Sequence, residues 1–460
     1  MAFLAVWAML KQLATSYMWA ALTVVGIAAG AYYLQLATRT VEVSWPKEKQ
    51  PQPYTRRVQP KKRKYQRAMN SLDDFVPLNN MEPVVDVVQF FTRRGNEFCV
   101  YSIDWEQESA VLVRPVDGAD LKDHPFFREA QRRTAAEILS IPFSNLQDVT
   151  DAIGPKVAHV QNGFIYMTGR CGSTLLTRAI EATSVAQAVC EPEVFTIINM
   201  AVTQARRARQ NTGFDEDNMV QLLRNVVTLL NYHLLMADPR HRDVVIYKLK
   251  PDVILIGDLM YRAFPSAKNV FIYRDGMGYL ESFAKLYFRK KIVHFLMRSR
   301  LSVSMIPDYV RVFGDDTKFA DQSRGYGSFL FYLTTMWVGA MQRALELQRL
   351  HPEYFFHCLV YYDALVKGKE KSIRLLLKSL GVKWDVEEHG EEAEKMREVF
   401  DRDSQAGTCA SARTKMAGEK WTEPAPNWLG DRERDYMSAV CRATGNDILG
   451  PDFIFPDTML

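Results

Sequence analysis

The sequence lacks the short motifs that identify most metal and redox centres. Its six cysteines include no Cys-x-x-Cys pair, and its eight histidines include no His-Glu-x-x-His arrangement. We therefore predict that the protein holds no structural metal ion. Disulfide bonds in an oxidising compartment and reduced, buried thiols are both compatible with so few and such widely spaced cysteines.

A strong excess of charge of one sign is also absent. The 460 residues carry 58 Lys and Arg against 54 Asp and Glu, a formal net charge of +4. This small excess gives no reason to expect a nucleic-acid partner, so any anionic ligand has to be inferred from local sites. Hydrophobic residues make up 47% of the chain, enough for one large globular domain with accessory segments.

No charged residue lies between Lys11 and Arg39, and this gap predicts a transmembrane helix over residues 13–36, after a short tail of residues 1–12. A cleaved signal peptide is the competing interpretation. The uncharged stretch is longer than the usual apolar region of a signal peptide, which reaches about 15 residues. An uncleaved anchor that binds the protein to a membrane is therefore expected.

The remaining chain divides into three parts by composition. Residues 37–85 combine prolines with Lys and Arg and have no apolar periodicity, which predicts an extended stem. Residues 86–150 read as short strands joined at Arg94-Gly95-Asn96, a small β-containing accessory region. Residues 151–460 alternate strand and helix patterns, which predicts an α/β catalytic domain around a parallel sheet. The long uncharged stretch within 325–350 is interpreted as a buried core helix, because an amphipathic pattern continues from it.

The first candidate ligand site is the segment FIYMTGRCGSTLL, in which an apolar strand meets a glycine-containing turn and then a helix. Such a turn directs backbone N–H groups and the positive end of the helix toward one point, which suits a phosphate or sulfate. It lacks the lysine of a GxxxxGK[ST] loop, which argues against a nucleoside triphosphatase. The candidate residues are Gly169, Arg170, Cys171, Gly172, Ser173 and Thr174.

A second candidate site has the same order of elements. Arg274 directly follows a predicted strand, and Ser282 lies eight residues later in the second turn of a predicted helix. The guanidinium and the hydroxyl could therefore bind one anion together. Two anion sites at the carboxyl ends of one parallel sheet fit a nucleotide with two phosphate positions.

These two segments resemble the 5′-phosphosulfate loop and the 3′-phosphate motif of the sulfotransferase family, especially its Golgi carbohydrate and protein-tyrosine branches. Cys171 departs from the pattern, since that position is more often Ser or Thr in the family. The resemblance covers roughly residues 160–425. It implies a three-layer P-loop-type fold with a parallel central sheet, 3′-phosphoadenosine 5′-phosphosulfate as the donor, and sulfuryl transfer to a hydroxyl or amine of a glycan, protein or lipid.

The resemblance also implies catalytic residues. Glu191, twenty-one residues after Arg170, matches the family's base, with Glu193 as the nearby alternative. Lys248 and Lys250 lie where the tyrosylprotein branch has Lys-x-Pro, although the match is off by one residue, so either lysine could balance charge beside Arg170. A further candidate residue, Ser404, falls in the segment that resembles the loop closing over the nucleotide.

Two other functions stay open on the sequence alone: a P-loop kinase or nucleotidase with a degenerate loop, and a catalytically silent membrane scaffold that binds nucleotide. The resemblance implies a Golgi enzyme with a lumenal catalytic domain, and a homodimer is a further expectation. A catalytic domain that faces the cytosol on the endoplasmic reticulum is the alternative, because basic residues follow the predicted anchor and the chain has no Asn-x-Ser/Thr site.

Overall fold

The computed structural model describes residues 49–61, 72–208, 215–287, 303, 306–352, 355–385, 390–405 and 429–458. The predicted tail and anchor lie outside these ranges, and the anchor over 13–36 stays a prediction. Among the described residues, no helix is both long enough and apolar enough to cross a membrane.

The amino-terminal part forms a mostly antiparallel sheet. Along its edge-to-edge path the order is β2-β1-β6-β5-β4, and β3 also pairs with β1. Its strands are β1 (Tyr54–Pro60), β2 (Phe75–Pro77), β3 (Glu82–Pro83), β4 (Cys99–Asp104), β5 (Ser109–Pro115) and β6 (Ala135–Pro142).

Two local predictions are wrong in this region. Part of the predicted stem is packed, because Tyr54–Pro60 pairs with β6 and buries Tyr54 and Val58. The expected turn at Arg94-Gly95-Asn96 instead ends a helix, α1 (Val87–Arg94). Asp86 caps this helix by accepting a hydrogen bond from the Gln89 N–H, so a local cap outweighs the β propensity of its Val and Phe residues.

The second sheet has five parallel strands in the order β11-β10-β7-β9-β8. They are β7 (Gln161–Met167), β8 (Gln187–Cys190), β9 (Val244–Lys248), β10 (Lys268–Tyr273) and β11 (Cys358–Tyr361). The strands predicted from the sequence at β7, β9 and β10 are all present. Since β7 lies between β9 and β10, the chain leaves β7 at the point where the strand order reverses, which is where open α/β sheets bind ligands.

Helices cover the sheets and connect the strands. In chain order they begin with α1, α2 (Phe127–Thr134), α3 (Phe143–Val157), α4 (Ser173–Glu181), α5 (Glu193–Ala208), α6 (Glu216–Ala237), α7 (Gly257–Ala263) and α8 (Gly276–Tyr287). The later ones are α9 (Asp308–Gly314), α10 (Ser328–Leu350), α11 (Tyr362–Gly368), α12 (Glu370–Ser379), α13 (Glu391–Asp401) and α14 (Asp431–Arg442). The predicted core helix is confirmed as α10, in which Trp337, Met341 and Ala344 are fully buried.

The two faces of the parallel sheet pack against different helices, because successive side chains of a strand alternate between faces. One face carries aromatic residues such as Phe164, Tyr247 and Phe271, in a core shared with α5, α6, α10 and the antiparallel sheet. The other carries aliphatic residues such as Ile165 and Ile272, packed against α4 and α12. The parallel sheet is therefore the middle layer of an α/β fold, as predicted, and the antiparallel sheet shares the main core.

Candidate active site

The turn after β7 has the backbone of an anion-binding loop. Gly169, Arg170 and Gly172 all adopt left-handed conformations, with φ of 84°, 51° and 78°. At Gly172 a side chain would also collide with the Tyr362 ring, 2.9 Å from the place of its Cβ. Helix α4 begins directly after this turn, at Ser173. Residues in alternating conformations before a helix N-terminus direct several N–H groups to one side, which favours a bound anion.

The side chain of Arg170 joins three distant segments. Its Nε donates to Ser282 Oγ on α8 at 3.0 Å, and its Nη1 donates to Gln405 Oε1 at 3.0 Å. Gln405 Nε2 in turn donates to Thr174 Oγ1 at 3.2 Å. The structure thus brings together residues from both motifs singled out in the sequence, 112 positions apart in the case of Arg170 and Ser282.

Two other side chains of the predicted loop face inward. Cys171 is fully buried in the core beneath α4, and burial raises the pKa of its thiol. The Ser173 hydroxyl lies 2.8 Å from the sulfur of Met167. Among the candidate loop residues with side chains, Arg170 and Thr174 are the two that contact Gln405, so Cys171 contributes its backbone to the turn and not a ligand side chain.

Arg274 lies at the carboxyl end of β10. Its carbonyl accepts a 2.9 Å hydrogen bond from the Trp337 indole, and its guanidinium lies 4.5 Å from the centroid of the Tyr362 ring. The Nε of Arg274 is buried and has no hydrogen-bond partner among the described residues. The nearest carboxylate recorded for this Nε, Asp275 Oδ2, lies 3.8 Å away, beyond hydrogen-bond distance, so the donor can still bind an anion. The Tyr362 ring lies close to both the Arg274 guanidinium and Gly172.

Glu191 and Lys248 form an ion pair at the ends of two neighbouring strands. Lys248 ends β9 and is buried, whereas the Glu191 side chain keeps 17% of its surface exposed. Glu191 has a left-handed backbone, with φ of 57°, and its N–H donates to the Lys248 carbonyl at 2.8 Å. A non-glycine residue held in this conformation stores strain, and such strain concentrates at functional sites.

The charge of Lys248 is maintained by its partner. Burial lowers its pKa, but Cys190 and Glu191 oppose this effect, and the resulting pKa lies above the ordinary value. Burial raises the pKa of the Cys190 thiol to about 11, so this thiol is neutral near pH 7. Glu191 is therefore the group that keeps Lys248 protonated at neutral pH.

The second predicted lysine belongs to a deeper ion pair. Lys250 Nζ lies 2.6 Å from Glu193 Oε2, and Arg128 Nε lies 2.8 Å from the same oxygen. Although burial of the carboxyl acts to raise the pKa of Glu193, these two cations hold it below its usual value. The two candidate lysines thus contact different glutamates, and Glu191 lies nearer to solvent than Glu193.

The carboxyl-terminal prediction is displaced by one residue. Ser404 lies in the turn that follows α13, but the side chain that contacts the loop is its neighbour Gln405. The structure records no hydrogen bond of the Ser404 side chain with any described residue. Residues 406–428, which complete the predicted closing segment, lie outside the described residues.

The burial of the described cysteines bears on the two alternatives for the thiols. Cys99, Cys171, Cys190, Cys358 and Cys441 are buried, free thiols, which favours the reduced alternative for these five. Within the described ranges, no cluster of three or more His, Cys, Asp or Glu is arranged to hold a metal ion. The prediction that the enzyme needs no metal stays a prediction.

A family model described as "Sulfotransferase family" matches residues 164–386, which span the sheet, the loop after β7 and both candidate lysines. This match agrees with the Arg170, Ser282 and Arg274 arrangement. Residues 164–386 belong to the sulfotransferase family. No curated protein matches the sequence.

Solved structures with similarity to this sulfotransferase include three bacterial sulfotransferases. The enzyme from Alicyclobacillus acidocaldarius is 13% identical, covers 53% of this chain and 96% of its own, and has a TM-score of 0.28. One from Mycobacterium avium is 10% identical over 70% of this chain and 89% of its own, with a TM-score of 0.33. One from Mycobacterium tuberculosis H37Rv is 12% identical over 56% of this chain and 75% of its own, with a TM-score of 0.30.

Sequence reasoning missed three side chains of this sulfotransferase. Tyr362 follows the last strand of the parallel sheet, so the rule that ligands lie at strand ends could have indicated it. Gln405 adjoins a predicted residue but has no motif of its own. Arg128 lies in the accessory region, outside residues 164–386, and no sequence signal connects it to Glu193.

Proposed function

We propose that this sulfotransferase uses 3′-phosphoadenosine 5′-phosphosulfate as its donor and transfers the sulfuryl group to a hydroxyl or amine of an acceptor. The observation that carries the proposal is the meeting of two anion-binding segments at the carboxyl edge of one sheet. Arg170, from the loop after β7, contacts Ser282 from the segment after β10. A donor with a 5′-phosphosulfate and a 3′-phosphate needs two such segments side by side.

The residues present fit this donor. The left-handed turn at Gly169, Arg170 and Gly172 suits the 5′-phosphosulfate, and helix α4 adds its positive end. Arg274, with its buried and unused Nε, suits the 3′-phosphate together with Ser282. Both assignments follow from local charge and donor geometry and are independent of the three solved structures.

Glu191 and Lys248 supply the remaining chemistry in the proposed mechanism. The acceptor oxygen attacks sulfur, and the bond between sulfur and the 5′-phosphate oxygen breaks, which releases the 3′,5′-bisphosphate. Glu191 accepts the acceptor's proton, while Lys248 and Arg170 balance the negative charge that grows on the leaving oxygen. When Lys248 turns from Glu191 to the leaving group, the carboxylate gains basicity at the moment when a proton has to be removed.

Transfer of labelled sulfate from the donor tests the proposal directly. The full chain is incubated with the labelled donor and with glycans, tyrosine peptides, lipids and small alcohols, and binding of the 3′,5′-bisphosphate is measured by calorimetry. We expect bisphosphate binding without added metal and label in at least one acceptor class. Absence of both would contradict the proposed donor. Binding of ATP with Mg²⁺ in preference to the bisphosphate would favour a kinase instead.

We further propose that residues 13–36 anchor the enzyme in the Golgi membrane with the catalytic domain in the lumen. The uncharged stretch between Lys11 and Arg39 and the resemblance to Golgi branches support this placement. Protease protection on intact microsomes tests it. Digestion of the catalytic domain without detergent would assign it to the cytosolic side.

A further inference from the structure

A buried chain of charges extends from the candidate active site into the antiparallel layer. It begins at Lys250, which caps the 3-10 turn after β9, and passes through Glu193, the first residue of α5. It ends at Arg128, near the start of α2. The three side chains meet at one atom, because both cations contact Glu193 Oε2.

Glu193 cannot exchange these partners for water. Its side chain is 3% exposed, and its Oε1 has no hydrogen-bond partner among the described residues. Lys250 is similarly enclosed, 9% exposed, with its ammonium 5.1 Å from the centroid of the Tyr309 ring. Ion pairs enclosed in this way lose strongly when one member is removed, because the remaining charges stay buried and uncompensated.

The surroundings of Glu193 explain its state of charge. Arg128 and Lys250 face it as cations, and the charges of Asp252 and Tyr101 also interact with it. Burial raises the pKa of Asp252 to about 7, although Lys250 opposes this shift. Arg128 also interacts with Asp74 and Glu129, after Glu193 and Tyr101. Glu193 is thus the anion that both neighbouring cations share.

Chain connectivity joins this cluster to the candidate base. Glu191 and Glu193 are separated by Pro192 alone, and Lys248 and Lys250 by Leu249 alone. Each of the two glutamates contacts one of the two lysines. Because each pair is separated by a single residue, a shift of Glu193 or Lys250 would also move the backbone that carries Glu191 and Lys248. A misplacement of about 1 Å is enough to cost a catalyst up to two orders of magnitude in rate.

We propose that Arg128 is a positioning residue for sulfuryl transfer, which acts through Glu193 and Lys250 on the Glu191–Lys248 pair. The amino-terminal part of the protein, which carries Arg128, then contributes to the active site, although the family match begins only at residue 164. This inference rests on the proposed function of Glu191 and Lys248. Arg128 itself does not contact the substrates.

The test uses Arg128→Ala and Arg128→Lys in the full chain, with Arg133→Ala as the matched control. Arg133 lies on the same helix but is 57% exposed and pairs with Glu129 at the surface. In Arg128→Ala we expect kcat to fall about tenfold or more, with bisphosphate Kd within threefold of the wild-type value. Arg128→Lys should recover part of kcat, and Arg133→Ala should match the wild type.

The pH profile of kcat distinguishes a positioning role of Arg128 from an effect on stability alone. Arg128 helps to hold down the pKa of Glu193, so its removal should move the acid limb of the kcat profile to higher pH. Arg128→Lys should move the limb back. A wild-type kcat and pH profile in Arg128→Ala would overturn the inference.

A double variant covers the case in which Arg128→Ala does not fold. Arg128→Met with Glu193→Gln removes one positive and one negative charge together, so the net buried charge is unchanged, although Lys250 loses its carboxylate partner. We expect it to fold but to keep a kcat at least tenfold below the wild type. Recovery of wild-type kcat would reduce Arg128 to a structural role and overturn the inference. If instead the wild type itself transfers no sulfate, it is the proposed function that fails.

Discussion

The two glutamate–lysine pairs have the same spacing along the chain but different surroundings. Glu191 and Lys248 meet at the sheet edge, where the Glu191 side chain is 17% exposed. Glu193 and Lys250 lie deeper, and Arg128 adds a second cation to Glu193. The same ion pair is thus available for proton transfer in one place and enclosed in the other.

This difference argues for a division of roles. A base has to reach its acceptor and change its protonation state, which requires solvent access and a single exchangeable partner. Glu191 meets both conditions, and its strained backbone, with φ of 57°, is further evidence that the turn is held for a purpose. Two cations contact one oxygen of Glu193 and keep it charged. Glu193 therefore fits a structural role that holds the site in place.

The largest effect on activity is expected at Glu191, the more exposed of the two glutamates. Glu191→Gln keeps the size of the side chain and removes its basicity, so kcat should fall by about 10²–10⁴ while bisphosphate Kd stays within a few-fold. Initial rates at saturating donor and calorimetry measure the two quantities. Glu394→Gln, on the exposed face of α13, serves as the control and should match the wild type. A fully active Glu191→Gln enzyme would move the base to another carboxylate, with Glu193 first in line.

The second prediction concerns the buried pair of Glu193 and Lys250, and the quantity measured is the stability of the protein. Glu193→Gln leaves Arg128 and Lys250 without their shared anion and should lower the free energy of unfolding by about 3–5 kcal/mol at pH 7. Glu191→Gln should cost less, because it leaves one buried cation, Lys248, without its carboxylate, whereas Glu193→Gln leaves two. Chemical denaturation of both variants makes the comparison. Equal losses would contradict this difference in the number of cations left without their carboxylate.

The pH dependence of this loss has a definite sign. The folded pKa of Glu193 lies below its ordinary value of 4.5, so its ion pairs stabilise the protein above that pH. The contribution disappears as pH falls through the folded pKa. The stability difference between the wild type and Glu193→Gln should therefore be larger at pH 6 than in acid, and it should shrink as pH falls below 4.5, within the range in which both remain folded.

The parts predicted well from the sequence depend on local signals. Strands β7, β9 and β10 are short apolar runs, and the turn at Gly169 and Gly172 is marked by glycines that the left-handed backbone requires. The helix of Ser282 begins at Gly276, so Ser282 lies in its second turn, as predicted. In each case the residues that determine the structure are neighbours in the sequence.

The parts predicted poorly depend on distant partners. Tyr54–Pro60 is a strand because it pairs with residues 137–140, and a local composition rich in Pro, Arg and Lys conceals this. The site shows the same limit, since the Arg128 and Glu193 contact joins positions 65 apart with no shared motif. Gln405 likewise reaches Thr174 across 231 residues.

A third prediction concerns the second anion segment. Arg274→Ala should weaken binding of the 3′,5′-bisphosphate by about 1.5–3 kcal/mol, roughly 10- to 100-fold, because a charge-assisted contact is lost. The Trp337 indole bonds the backbone carbonyl of residue 274, so this anchor survives the substitution. Calorimetry with a nucleotide that lacks the 3′-phosphate is the control and should show little change. Equal losses for both nucleotides would contradict the assignment.

The smallest effect is expected at Gln405, whose amide bridges Arg170 and Thr174. A bound 5′-phosphate would need these same groups, so binding has to displace the amide and exchange its hydrogen bonds. Gln405→Ala should therefore strengthen bisphosphate binding by about 0.5–1.5 kcal/mol, measured by calorimetry. Arg402→Ala, an exposed neighbour that pairs with Glu398, is the control. Weaker binding in Gln405→Ala would mean that this side chain contacts the bound nucleotide and closes over it.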